Sequence, residues 1–215
     1  ILKKGWYEMK IIVFGASGRT GQKVIEQAID KGMEVTAFVR NRESIKLQSE
    51  NLNVVVGQAT SYEDVKKAIA GHDAVISCIG GPGIKASTTI TDITKNIVEA
   101  MNERGVKRIV QMASAGVHGE LKGISGKAVM LMLKNPLKDH AGAFNILKEG
   151  GVDYTLARPL GLTDGDFTGV YREIEEGAPD GGKNISRADV AHFLLKAIQD
   201  DNYICLLYTS DAADE

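Results

Sequence analysis

The sequence predicts an α/β domain built on a doubly wound parallel sheet, and three observations carry that expectation. Short runs rich in Val and Ile alternate with stretches of helical periodicity along most of the chain. The runs hold few polar residues, as parallel strands covered on both faces require. A glycine-spaced turn, Gly15-Ala16-Ser17-Gly18-Arg19-Thr20-Gly21, joins the first run to the first helical stretch.

The strands are expected at 10–14, 34–39, 53–57, 74–78, 108–111 and 154–157. A helix over 20–31 stops at Gly32, and one over 62–70 starts behind Ser61, a good N-cap, and stops at Gly71. Residues 88–104 put Ile90, Ile93, Ile97, Val98 and Met101 on one helical face before Gly105. Residues 139–149 precede the Gly150-Gly151 stop, and 187–200 follow Ser186 with Val190, Phe193, Leu194, Ala197 and Ile198 as the buried stripe. An insertion, 118–138, carries the run Met130-Leu131-Met132-Leu133, which reads as a helix packed on the core or as an adaptable pocket lining. Right-handed β-α-β units in this order build a doubly wound sheet.

One domain is expected over 9–204, with 115–138 and 159–185 as substrate-side segments. Residues 1–8 lack periodicity, and Met9 stands directly before the first strand. Residues 205–215, CLLYTSDAADE, look like the translation of a library-preparation adapter, so both ends are expected to be non-native extensions. The alternative for the second is a terminal strand over 203–208 with an acidic tail.

The 215 residues are 43% hydrophobic and 25% charged, an ordinary globular balance able to bury a core. A formal net charge of −2 gives no electrostatic reason to expect nucleic acid or an anionic membrane as partner. No apolar run is long enough to span a bilayer, and two cysteines, Cys78 and Cys205, exclude a disulfide scaffold or a CxxC metal site. Cys78 sits in an apolar strand pattern and reads as a buried, inert thiol. A cytoplasmic protein, monomeric or weakly dimeric, is expected.

The glycine turn points to a dinucleotide. Gly15 permits a tight turn, Gly18 lets the backbone approach a pyrophosphate, and Gly21 allows close helix–strand packing. The helix behind it directs free N–H groups and the positive end of its dipole at the phosphates. An NAD site places Asp or Glu at the end of the second strand for the ribose 2′-hydroxyl. Here the chain reads Phe38-Val39-Arg40-Asn41-Arg42, and arginines suit a 2′-phosphate, so NADP(H) is expected over NAD(H).

From Lys10 to about Ile204 the sequence resembles the atypical short-chain dehydrogenase/reductases, above all the biliverdin-IXβ reductase (flavin reductase) and NmrA-like groups. The resemblance rests on GASGRTG at 15–21, FVRN at 38–41, VVVGQAT at 54–60, DAVISCIG at 73–80, NIVEAMNERGVKRIV at 96–110, DYTLARP at 153–159 and ISRADVAHFLL at 185–195. It implies a Rossmann fold in which Ser17, Gly18, Arg19, Thr20 and Gly21 cradle the phosphates and Arg40 holds the 2′-phosphate. Gln58 and Ala59 would line the adenine, with Gln58 in place of the usual acid. Cys78, Ile79 and Gly80 would pass beneath the nicotinamide ribose, and Pro159 and Leu160 would flank the carboxamide. Ser114 falls where these enzymes keep a serine near the nicotinamide; capping of the strand end is the alternative. His140 aligns with a histidine of the flavin-reductase type.

The Tyr-x-x-x-Lys pair of ordinary short-chain dehydrogenases is missing, since Tyr154 is followed four positions on by Arg158. That weighs against alcohol–ketone chemistry and against a sugar-nucleotide epimerase or dehydratase, which need the tyrosine as acid/base. The flavin-reductase group also commonly has a histidine after the sixth strand, where this chain reads Pro159-Leu160-Gly161. The four histidines, His72, His118, His140 and His192, have no metal-ligand spacing, and no metal is expected. Two functions follow: an NADPH-dependent reductase of a flat acceptor such as a flavin, quinone or tetrapyrrole, or an NmrA-like NADP(H) sensor without turnover.

Overall fold

The computed structural model describes residues 9–117, 119, 123–175, 177–179, 181–182 and 184–212, with only the backbone for 123–125. Residues 1–8 and His118 therefore lie outside the described residues. The strands β1 (Lys10–Phe14), β2 (Glu34–Val39), β3 (Leu52–Val56), β4 (Ala74–Ser77), β5 (Arg108–Met112) and β6 (Asp153–Pro159) match the six expected from sequence within two residues at each end. The helices α1 (Arg19–Asp30), α2 (Tyr62–Ile69), α3 (Thr89–Arg104), α4 (Gly123–Met132), α5 (Lys134–Glu149) and α6 (Arg187–Gln199) connect and follow them.

Among the described residues the main sheet has eight strands in the order β3-β2-β1-β4-β5-β6-β10-β8, where β8 is Tyr171–Ile174 and β10 is Leu206–Ala212. The first six strands run parallel. Strand side chains alternate between faces, so β1 feeds two cores. Ile11 and Val13 pack with Val24 and Ala28 of α1 and Phe193 and Leu194 of α6. Ile12 and Phe14 pack with Val65 of α2 and Ile97 and Met101 of α3. Each such fully buried side chain contributes roughly 1.5–3 kcal/mol relative to exposure.

Capping follows the sequence. Ser61 Oγ accepts from the Asp64 N–H at 3.4 Å, and Ser186 Oγ accepts from Asp189 N–H at 2.9 Å. Gly105 closes α3 in the left-handed region at φ 72°.

One helix boundary differs from the expected one. Helix α5 begins at Lys134, not at Asp139, because Pro136 lies in its first turn, where a missing N–H costs nothing. The Met-Leu run of 130–133 is split: Leu131 and Met132 are 76% and 63% exposed, while Met130 and Leu133 are half-buried. Residues set apart as an extension form β10, parallel to β6 and antiparallel to β8, with Asp211 buried and held by the Arg172 Nε at 3.0 Å. This strand lies further along than the 203–208 alternative. A small parallel pair, β7 (Gly161–Thr163) with β9 (Asn184–Ser186), was not expected at all.

Candidate functional site

The strand order reverses between β1 and β4, since β1 leads outward to β2 and β3 while β4 starts the opposite half. A crevice forms where successive crossovers part at the carboxyl ends of such strands. Here a cavity of about 410 Å³ opens at that point. It is lined by Gly15, Ser17, Gly18, Arg40, Gln58, Ala59, Cys78, Ile79 and Gly80, nine of the residues singled out from sequence.

The glycines are required by close approach. Gly15 has φ +72°, and a Cβ there would stand 2.7 Å from the Cys78 carbonyl carbon. A Cβ on Gly21 would stand 2.2 Å from the Gly15 carbonyl oxygen. Gly18 donates its N–H to that same oxygen at 3.0 Å and forms the N-cap of α1 without any side-chain cap. No acidic residue occupies the first turn of α1, so its leading N–H groups and dipole face the crevice uncompensated. Thr20 is buried within that turn.

Arg40 is the one charged residue among the described residues lining the cavity. Its guanidinium has no ion-pair or hydrogen-bond partner among the described residues. Arg42, expected to double that charge, points elsewhere. Asn41 caps a 3-10 turn over Arg42–Ser44, and Arg42 donates to the Val54 carbonyl at 3.0 Å. The Gln58 N–H donates to Asp64 Oδ2 at 2.9 Å, which fixes the Gly57–Thr60 wall of the cavity. Burial pushes the Cys78 thiol up to about 12, so it is a protonated, inert wall rather than a nucleophile. Arg19 is exposed and pairs with Asp164 at 2.8 Å, and Arg187 holds the other oxygen of Asp164 at 2.7 Å.

Other residues singled out from sequence lie outside the cavity lining. Ser114 donates to the Ala115 carbonyl at 3.2 Å, while the Ala115 N–H donates to the Pro159 carbonyl at 3.0 Å. These bonds bring the ends of β5 and β6 together, with Leu160 immediately beyond. His140 is buried inside α5 rather than at its start, and its Nδ1 has no partner. Burial depresses its pKa, so the ring is neutral. His72 is held by Thr36 Oγ1 at 2.8 Å and His192 by the Tyr171 hydroxyl at 2.8 Å.

Sequence reasoning missed Phe38, Thr60, Pro82, Thr89 and Ile93 as cavity walls. It also missed Asp139, whose carboxylate accepts the N–H groups of Ile90 and Thr91 at 3.0 and 2.8 Å and so caps α3 from α5. No signal near residue 139 reveals a partner almost fifty positions away.

The glycine cradle, the uncapped α1 and the free arginine fit a dinucleotide carrying a 2′-phosphate. When bound, such a group supplies hydride from its dihydronicotinamide ring. The glycine turn and the start of α1 would hold its phosphates, and Arg40 would meet the 2′-phosphate.

The fold and this crevice define an NAD(P)-binding protein of the atypical short-chain dehydrogenase/reductase type. The chain belongs to the NAD(P)H-binding family, whose model matches residues 15–201. It is 31% identical to an uncharacterized chloroplastic protein, At2g34460, of Arabidopsis thaliana, over 88% of this chain and 71% of the relative. It is 26% identical to the uncharacterized sugar epimerase YhfK of Bacillus subtilis, over 90% of each chain. Divinyl chlorophyllide a 8-vinyl-reductase of Arabidopsis thaliana is 25% identical over 92% of this chain, which spans about half (52%) of that relative. Among solved structures, ChuY, an anaerobillin reductase from Escherichia coli O157:H7, shares the fold with a TM-score of 0.78, at 20% identity over 96% of this chain and 98% of that one. Among the described residues no helix is long and apolar enough to cross a membrane.

Proposed function

We propose that the protein is an NADPH-dependent reductase that delivers hydride to a flat redox acceptor such as a flavin, quinone or linear tetrapyrrole. The observation that carries the reading is Arg40, among the described residues the single charged one in the lining and without a partner there, at the end of β2 in a glycine-cradled crevice. An unpaired guanidinium is suited to a phosphate and gives a ribose hydroxyl no acceptor.

The acceptor side follows from what the crevice offers. Among the described residues the lining holds no histidine, lysine, tyrosine or carboxylate, so those residues offer little general acid/base catalysis there. Reduction of a conjugated acceptor asks chiefly for alignment of the two rings, with the proton drawn from water, and alignment alone supplies a large share of such a barrier. A relative whose name is a chlorophyllide vinyl-reductase supports an extended conjugated acceptor, and the missing Tyr-x-x-x-Lys pair weighs against the sugar epimerase for which another relative is named.

The test is oxidation of NADPH by the purified protein with flavin mononucleotide, a soluble quinone and biliverdin in parallel. Turnover with at least one of them, slower with NADH, is expected. Tight NADPH binding with no turnover on any acceptor would overturn the reading in favour of a sensor.

A further inference from the structure

The apolar run of α4 turns several of its side chains to solvent, and its surroundings are basic. Val129, Leu131 and Met132 are exposed, as is Ile84 in the segment between β4 and α3. Helical phase continues across the α4–α5 junction, because the Leu133 N–H donates to Val129 and the Leu137 N–H donates to Leu133, both at 2.9 Å. Spacings of three and four residues therefore place Lys127, Leu131, Lys134 and Lys138 on one stripe, with Asn135 beside it. The Asn135 amide donates to the Ile84 carbonyl at 3.1 Å, which draws Ile84 and Lys85 against that stripe. Lys85, Lys127, Lys134 and Lys138 are all exposed, and none has an ion-pair or hydrogen-bond partner among the described residues. The stripe is continuous with the crevice, since Gly81 and Pro82 line the cavity two to three residues before Ile84.

We infer that this surface receives the acceptor, and that the acceptor is a lipophilic planar molecule carrying carboxylates or similar anionic groups. The inference rests on the reductase reading for its role, and it narrows the acceptor class. Leu131, Met132 and Ile84 would cover the apolar ring system, and the lysines would meet its anionic edge. A Met- and Leu-rich surface adapts to more than one ring shape. Charge selects this occupant over a second copy of the chain, because a two-fold contact would set one ring of lysines against another. A sugar nucleotide would leave the exposed leucine and methionine uncovered.

The test uses the full chain saturated with NADP⁺ and titrates biliverdin, which has two propionates, and its uncharged dimethyl ester, read by absorbance. The variants are Leu131→Ser and the pair Lys134→Gln with Lys138→Gln; their positions are exposed, and unchanged NADPH affinity verifies their folding. The lysine pair is expected to weaken biliverdin about three- to thirtyfold, from two exposed charge contacts, with under about twofold effect on the ester. Leu131→Ser is expected to weaken both ligands. Native affinity in every variant, or failure of the native protein to bind either ligand, would overturn the site. So would sedimentation with phosphatidylglycerol vesicles that the lysine pair abolishes while biliverdin binding stays intact. Biliverdin bound as described but never reduced would sink the reductase reading and leave the site standing; normal turnover with native KM in all variants would do the reverse.

Discussion

A single added methyl group tests how tightly the glycine turn is drawn. A Cβ on Gly21 would come within 2.2 Å of a backbone oxygen, which has no flexible way to move aside. Gly21→Ala is expected to cost about 1–3 kcal/mol through overpacking. For a chain of this size that is a melting temperature lower by roughly 2–12 °C. NADPH affinity should fall with it, because the same shift moves the α1 N–H groups; differential scanning fluorimetry and an NADPH titration read both. A second residue-level test concerns pH. Burial lowers the folded-state pKa of His140, and the same cause lowers His72 and His192. The unfolded chain then binds more protons below the ordinary histidine pKa. Stability from these groups is present above pH ~6.5 and is lost as pH falls through the depressed folded values. His140→Leu should flatten the decline in melting temperature between about pH 7 and 5. An unchanged slope would show that His140 is not the neutral buried ring described.

Helix and strand placement was legible where the signal is local and hidden where it is long-range. The turn at 15–21, the caps Ser61 and Ser186 and the stripe of α3 each sit within a few residues of what they control, and each was read correctly. Asp139 acts across the fold from α5 onto α3. Asp139→Ala would strand the buried Ile90 N–H and the half-buried Thr91 N–H, leaving the Thr91 hydroxyl its bond to the Asp139 carbonyl at 2.9 Å. An expected loss of about 2–4 kcal/mol follows from a missing cap and unsatisfied donors, measured by urea unfolding. Asp139→Asn keeps only one of the two accepting oxygens and is expected to recover part of the loss, with the full loss unchanged showing that the carboxylate does not cap α3. The strands β7, β8 and β9 had no legible periodicity because each has only three or four residues and is held by neighbours distant in sequence. Strand β10 makes this testable: removing residues 205–215 opens the edge of β6 and deprives Arg172 of Asp211. A fall of several degrees is expected for loss of a paired strand, and an unchanged melting temperature would show that the core does not need it.

At the scale of the whole molecule, the eight-stranded sheet with a core on each face places the reversal of strand order between β1 and β4, and the crevice is there. Seen from sequence, the first half of this site was plain because the β1–α1 turn and the end of β2 carry their chemistry in consecutive residues. The far half was not, since Phe38, Thr89 and Ile93 reach the cavity only through the packing of β2 and α3. A net charge of −2 gives no global attraction for an anionic ligand, so recognition of a phosphate must come from local groups. That makes Arg40 decisive. A lost charge-assisted contact of about 1.5–3 kcal/mol corresponds to roughly ten- to hundredfold in affinity. The most direct measurement is calorimetric titration of NADPH and NADH into the native protein and into Arg40→Ala. NADPH is expected to bind the native protein ten- to hundredfold more tightly, on the order set by that contact, and the variant should lose most of the preference while keeping its NADH affinity. Equal affinities for the two cofactors in the native protein, or a preference that survives the loss of Arg40, would contradict it.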